Sequence, residues 1–171
     1  MSRLRDQPVT VTLRDWSPRN VEAAEQYAKQ AGLDAVYASR GDAFDRASLA
    51  GVDPRPNVTV VSGLYELFPD NKRVGESLRG LSEALGVGGY LIYTNQPWHP
   101  QLEMIARVLD NRDGHPWVMR CRAQAEMDAL VSAAGFEKLE MLTDPNGIFT
   151  VSLARCCASA GVRAPEEVAV C

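Results

Sequence analysis

The sequence predicts an α/β domain built on a doubly wound, mostly parallel sheet that ends in an antiparallel strand. Three observations predict it. Short β-branched runs alternate with segments of helical apolar period, as strand–helix–strand units require. Glycines close the helices just before the next strand begins. The last two apolar segments are joined by a tight-turn sequence and not by a helix.

Val9 to Leu13 (VTVTL) is rich in β-branched residues and too short for a helix, so it reads as a buried strand with Arg14 to Arg19 as its exit turn. Ser17 and Pro18 then supply an N-cap and a first-turn proline. Val21, Ala24, Tyr27, Ala28 and Ala31 mark one face of a helix that stops at Gly32. A short strand around Ala35 to Ala38 runs into the turn-rich string Ser39 to Asp45, and a loop or short helix follows through Asp53, Pro54 and Pro56. Val58 to Val61 (VTVV) is the next strand, connected by Ser62 to Asn71 to a helix carrying Val74, Leu78, Leu81 and Leu85. Gly86, Gly88 and Gly89 end that helix and lead into Tyr90 to Thr94 (YLIYT). Beyond the loop QPWHPQ, Leu102, Ile105, Ala106 and Leu109 resume a helical period that Asn111 to Pro116 breaks. Gln124 to Ala134 is the last helix. Leu139 to Leu142 and Ile148 to Leu153 form the turn-linked strand pair around Asp144, Pro145, Asn146 and Gly147.

With 171 residues, 46% of them hydrophobic and 23% charged, the chain suits one domain with a sizeable core. We expect that domain to span residues 8–155, followed by an unstructured tail over 156–171, where Gly, Pro, Ala and paired glutamates show no periodicity. The formal net charge of −4 argues against a nucleic-acid partner, which normally needs a concentrated basic stripe, and favours a small-molecule substrate. No run approaches the roughly 18 apolar residues of a membrane span, so the expectation is a soluble, cytoplasmic protein without a membrane partner. The four cysteines form no CxxC pair and have no histidine at ligand spacing, so neither a metal site nor a disulfide framework is expected.

Several phrases together resemble the class I S-adenosylmethionine-dependent methyltransferases, a Rossmann-like family. "DALVSAAGFEKLEML" and "GIFTVSLAR" look like that family's final helix and last two strands, and "LGVGGYLIYT" like its fifth strand with the preceding turn. The stretches "VVSGLYELFPDN" and "QPWHPQLEMI" more narrowly resemble bacterial methyltransferase-like proteins that are often joined to a hydrolase-like N-terminal region. The likeness covers residues 8–155 and implies S-adenosylmethionine as cofactor. A nicotinamide-dependent Rossmann enzyme is disfavoured, because no G-x-G-x-x-G sequence follows any strand.

Ligands of such sheets sit at the carboxyl ends of the strands, so the residues just past each strand are the site candidates. Asp15 can accept hydrogen bonds from both ribose hydroxyls, and Trp16 can cover an adenine; the plain alternative is that Asp15 caps the turn into Pro18 and Trp16 is a partly buried core residue. The resemblance makes Asp42 the acceptor for the adenine amine, Ala43 a backbone donor to the ring and Phe44 a stacking neighbour, whereas the residues alone read as a turn. It also implies that Ser62, Gly63, Leu64, Tyr65 and Glu66 line the pocket beneath the transferred methyl. Tyr65 and Glu66 could orient a nucleophile, and Glu66 could take its proton if burial raised its pKa; otherwise it is a surface glutamate. His99, in the stiff loop Pro97, Trp98, His99, Pro100, has a pKa suited to proton transfer but no partner fixed by the sequence. Trp117, Arg120 and Arg122 either shape the substrate mouth or are solvated groups on a connector.

The family's usual first strand and glycine-rich loop are absent upstream of Asp15: residues 1–8 are too few for a strand, a loop and a crossover of about ten or twelve residues. That strand lies at the centre of the family's sheet. Its removal leaves a gap of about 10 Å flanked by unpaired backbone groups. Either the halves re-pair, another chain fills the gap, or the chain is a truncated part of a longer protein. The expected consequences are weak cofactor binding and impaired methyl transfer; the non-catalytic alternative is an interaction module, a homodimer joined through its strand edges.

Overall fold

The computed structural model describes residues 8–111 and 114–157. The chain runs β1 (Val11–Asp15), α1 (Pro18–Gln30), β2 (Val36–Arg40), α2 (Arg46–Ala50), β3 (Val58–Val61), a 3₁₀ turn (Tyr65–Leu67), α3 (Asn71–Leu85), β4 (Tyr90–Asn95), α4 (Leu102–Val108), α5 (Gln124–Ala133), β5 (Phe136–Thr143) and β6 (Thr150–Cys156). Most of the expected tail lies outside the described residues, and Cys156 itself ends β6 as a buried residue.

The strands form two sheets. β1 and β2 make a parallel pair, and the second sheet has the order β3-β4-β6-β5, with β3 and β4 parallel and β6 antiparallel to both its neighbours. This is a parallel α/β arrangement with an antiparallel finish. Among the described residues β1 and β3 do not re-pair across the missing centre; each keeps one unpaired edge. β1 therefore departs from the buried strand expected of it: Leu13 is 42% exposed, because no central strand covers its second side. The parallel register also extends β1 and β2 beyond their expected ends, pairing Asp15 with Arg40 and turning both from loop residues into strand termini.

The core lies on one face of the four-stranded sheet. Leu91 and Tyr93 of β4, with Ala154 and Cys156 of β6, point to that face and meet Val74, Leu78, Leu81 and Leu85 of α3 and Met127 and Val131 of α5. Each fully buried aliphatic side chain stabilises the fold by about 1.5–3 kcal/mol relative to exposure. Among the described residues nothing covers the opposite face. Val58 and Val60 of β3, Tyr90 of β4, Val151 of β6 and Leu142 of β5 share it by register and are all exposed. α4 buries none of its residues.

The two sheets are held together through helices. Arg14 of β1 donates from both terminal nitrogens to Ser48 of α2, to its carbonyl at 3.1 Å and its hydroxyl at 2.6 Å. α2 in turn lies directly on α3 at Gly80, where an added Cβ would stand 2.9 Å from the Leu49 Cβ and 3.0 Å from Arg46 backbone atoms. Arg46 reinforces the contact by pairing with Glu83 and Glu76 of α3. Gly80→Ala is expected to destabilise the chain by about 1–3 kcal/mol through overpacking, although alanine in a helix interior is ordinarily favoured by about 0.5–1 kcal/mol. Urea unfolding of the two proteins checks the sign.

Candidate active site

Two groups of candidate residues lie at the carboxyl ends of the strands, one on each sheet. On the two-stranded sheet, the Gly41 N–H donates to the Asp15 carbonyl at 3.0 Å, so Asp15 and the Gly41–Phe44 turn share one end of the structure. The Asp15 Oδ1 accepts from the Ser17 N–H (2.7 Å) and Asn20 Nδ2 (3.1 Å), which is the turn-capping arrangement. Trp16 is 54% exposed, with the Arg40 guanidinium 4.8 Å from its ring centroid. Asp42 Oδ1 accepts from the Phe44 N–H at 2.8 Å, and Ala43 sits half-buried within that turn. A Cβ on Gly41 would meet the Arg14 guanidinium at 2.5 Å, so a side chain there would displace Arg14 from its bonds to Ser48. A hollow of about 220 Å³ opens beside Asp15, lined also by Leu13, Asn20, Val21 and Ala38.

Phe44 connects this group to the second. Its ring lies 4.5 Å from Phe68, edge to face, and 6.5 Å from Tyr65, with Arg73 stacked over both Phe44 and Phe68. It is partly buried and packs against the core.

On the four-stranded sheet, Ser62 and Gly63 are exposed at the end of β3, where Gly63 adopts φ +67° and donates its N–H to Thr94 Oγ1 of the adjacent strand at 2.8 Å. Tyr65 and Glu66 then enter the 3₁₀ turn and bury. Tyr65 faces the core: its hydroxyl shares a hydrogen bond with Ser77 Oγ at 2.9 Å, and burial holds its pKa well above the ordinary range. Glu66 is also buried, only 5% exposed, and among the described residues its Oε2 has no hydrogen-bond partner. Burial raises its carboxyl pKa, an effect its own backbone N–H and the Arg122 charge partly offset. The Cys121 thiol is pushed up by burial and then by the nearby Glu66 carboxylate. Gln96, just past β4, is a second buried side chain whose acceptor oxygen is unpartnered among the described residues. His99 accepts at Nδ1 from the Gln101 N–H at 3.1 Å within its own loop. Trp98 beside it is exposed.

Neither reading of the arginines as mouth-lining or solvated groups describes Arg122. It is 1% exposed and donates to the Tyr65 and Phe68 carbonyls, both at 2.6 Å, and to Asn71 Oδ1 at 2.8 Å. Sequence reasoning missed this role because an arginine in an aperiodic connector carries no burial signal; the one hint is its place just ahead of a helix lacking a capping side chain. Among the described residues no group of three or more potential ligands could hold a metal ion, and no helix is long and apolar enough to cross a membrane.

Apart from the interruption between β1 and β3, the mostly parallel sheet with an antiparallel finish matches the fold of S-adenosylmethionine-dependent methyltransferases. An O-methyltransferase family protein from Burkholderia thailandensis matches it with a TM-score of 0.70 at 15% identity, covering 91% of this chain and 46% of that one. A SAM-dependent methyltransferase from Methanosarcina mazei matches with a TM-score of 0.64 at 17% identity over 87% of this chain and 82% of that one. The O-methyltransferase NcsB1 from neocarzinostatin biosynthesis, solved with S-adenosyl-L-homocysteine and 1,4-dihydroxy-2-naphthoic acid, gives 0.67 at 19% identity over 86% of this chain and 42% of that one. The profile of the family described as "Putative methyltransferase" matches residues 1–156, and the chain belongs to that family. The uncharacterized protein YnbC of Escherichia coli (strain K12) is 53% identical over 146 residues, 84% of this chain and 25% of that protein. The chain thus spans about a quarter of the length of the curated relative it matches.

Tyr65→Phe is expected to lower stability by about 1 kcal/mol by stranding the Ser77 hydroxyl. Because the folded-state pKa of Tyr65 is raised and that of Tyr93 is pushed up to about 12, the native chain keeps protons that the unfolded chain loses above pH 10, so stability falls as pH rises beyond it. Phenolate absorbance against pH, compared between the parent and Tyr65→Phe, reports both.

Proposed function

We propose that this chain is the adenosine-binding and proton-accepting part of an S-adenosylmethionine-dependent methyltransferase acting on a small molecule with an O–H or N–H nucleophile. The observation that carries the reading is Glu66: a buried carboxyl with a raised pKa and an unpartnered oxygen, at the carboxyl end of a parallel strand. Two buried, unpartnered acceptor oxygens, on Glu66 and Gln96, suit an acceptor that brings its own donor hydrogens.

The residues present fit the adenosine end of the cofactor. Asp15 keeps its Oδ2 for ribose hydroxyls beyond the Oδ1 that caps the turn, Trp16 and Arg40 form a stacked surface beside it, and Asp42, Ala43 and Phe44 build the adenine turn at the same end. Ser62 and Gly63 sit at the end of β3, just ahead of the turn that carries Glu66. When bound, S-adenosylmethionine supplies an electrophilic methyl group on a sulfonium. Glu66 then removes the acceptor proton at its Oε2, and its burial keeps bulk water from competing. Tyr65 holds the turn through Ser77.

The described residues build no cradle for the methionine end, and methyl transfer depends chiefly on holding donor and acceptor in line. A strand between β1 and β3, with a helix on the bare face beside it, completes the site when supplied by the remainder of a longer protein. This chain alone accordingly binds S-adenosylmethionine weakly and transfers methyl groups poorly. Free thiols at Cys121 and Cys157 suit a reducing, cytoplasmic setting. The unpaired edges and bare face also favour a second reading, a non-catalytic module that dimerises through them, and light scattering with and without cofactor separates the two.

Titration calorimetry on this chain is expected to show weak cofactor binding, with the longer relative binding more tightly; tight binding by the chain alone contradicts the completion step. In the complete protein Glu66→Gln is expected to lower kcat by about 10²–10⁴-fold. Activity rises with pH through a midpoint above the ordinary carboxylate range, since only the ionised form accepts a proton. The same raised pKa means that the native state holds a proton the unfolded state has lost, so its stabilising contribution is full at low pH and disappears as pH rises through the native pKa; Glu66→Gln flattens that dependence in denaturant melts.

A further inference from the structure

Segment 120–124 forms a strap across the turn that carries Glu66. The Arg120 N–H donates to the Glu66 carbonyl at 2.9 Å, and Arg120 Nη1 donates to the Pro69 carbonyl at 2.8 Å. Arg122 takes the carbonyls of Tyr65 and Phe68, and its Nε reaches Asn71 Oδ1. The strap is anchored from behind, where Asn95 at the end of β4 donates from Nδ2 to the Arg122 carbonyl (3.1 Å) and to Gln124 Oε1 (3.3 Å). Four carbonyls of a five-residue turn are thus fixed by two arginines. A 3₁₀ turn of three residues has little internal bonding with which to hold its own shape.

Arg122 is not disposed to bind a substrate anion. All three of its side-chain nitrogens already donate to protein oxygens, and the group is buried. Its acceptors are two neutral carbonyls and an amide oxygen, so its charge is not consumed by a directly bonded carboxylate; the acids that feel it are Glu126, Glu66 and Asp70, of which Glu66 is the buried one. The groups facing Glu66 are Arg122 and Cys121 of the strap, with Gly63 across the turn.

We propose that Arg122 is the positioning residue for Glu66, its guanidinium fixing the turn by bonding the carbonyls on either side of the carboxyl-bearing residue. The inference rests on the reading of Glu66 as the proton acceptor but is tested independently of methyl transfer. A guanidinium suits this task because its planar fork can reach two carbonyls and an amide at once, whereas a lysine ammonium is a single point of charge. The same cation, a short way from the carboxyl, favours the ionised form that accepts a proton.

The test is the titration of Glu66 by NMR in the full chain labelled with [5-¹³C]glutamate, the resonance being assigned by its loss in Glu66→Gln. Arg122→Gln is expected to raise the Glu66 midpoint by about one pH unit, and Arg122→Lys, which keeps the charge but not the fork, by less while broadening or doubling the resonance. A folded Arg122→Gln chain with the Glu66 titration and line shape of the parent overturns the proposal. Should neither Arg122 variant fold, Asn71→Ala decides: it removes the Nε acceptor together with the amide that donates to Glu126 at 2.7 Å, and a smaller upward shift supports the proposal while an unchanged titration overturns it. If Glu66→Gln retains full methyl transfer, the base assignment fails even though Arg122 governs the titration; if Glu66→Gln loses transfer while Arg122 leaves the titration untouched, only the positioning role fails.

Discussion

The contact on which the rest of this structure depends is the seating of α2 on Gly80 of α3. A parallel sheet is normally continuous, and its backbone ladder fixes where each strand end lies relative to the next. Here the ladder is interrupted between β1 and β3, so that information passes through side chains: Arg14 to Ser48, Leu49 onto Gly80, and Arg46 to Glu83 and Glu76. A two-stranded sheet is marginal by itself. The helix contact gives it a fixed partner, and Phe44, wedged against Phe68 near Tyr65, carries the alignment up to the carboxyl ends where both candidate groups sit.

Within the second group, burial does two opposite things with one turn. It places the Tyr65 hydroxyl against Ser77, where it is satisfied and inert, and it places the neighbouring Glu66 carboxyl where one oxygen has no partner. Adjacent residues in a 3₁₀ turn point in different directions, so a single backbone conformation separates a structural side chain from a reactive one. A carboxyl in that setting is expensive to keep charged, and the nearby buried arginine offsets part of the expense without bonding to it.

Much of the architecture was legible in the sequence because it follows from pattern. The β-branched runs, the period of Val74, Leu78, Leu81 and Leu85, and the Asp144–Gly147 turn each depend on local chemistry, and each element formed within a few residues of its expected place. Among the described residues β1 and β3 belong to separate sheets, in keeping with the expected lack of a central strand. Asp15 and Asp42 were expected at one end, and the register Asp15↔Arg40 with the Gly41 bond brings them there. What pattern could not supply was direction: that Tyr65 turns inward, that Arg122 is wholly enclosed, that among the described residues the core lies on one face of the four-stranded sheet. Those depend on contacts between residues more than fifty positions apart, such as Arg122 with Tyr65 and Phe68, which leave no periodic trace.

The bulge in β5 gives the sheet's outer boundary a distinct character. Between Lys138 and Glu140 the register slips, leaving Leu139 out of the ladder, and Glu137, Lys138 and Glu140 set charges along that margin. Irregularity and charge together make a poor template for an incoming chain. β3, by contrast, presents VTVV with neither a charge nor a slip along its free side. The chemistry of the two margins differs as a guarded rim differs from a seam: one is composed to repel extension of the sheet, the other to accept it.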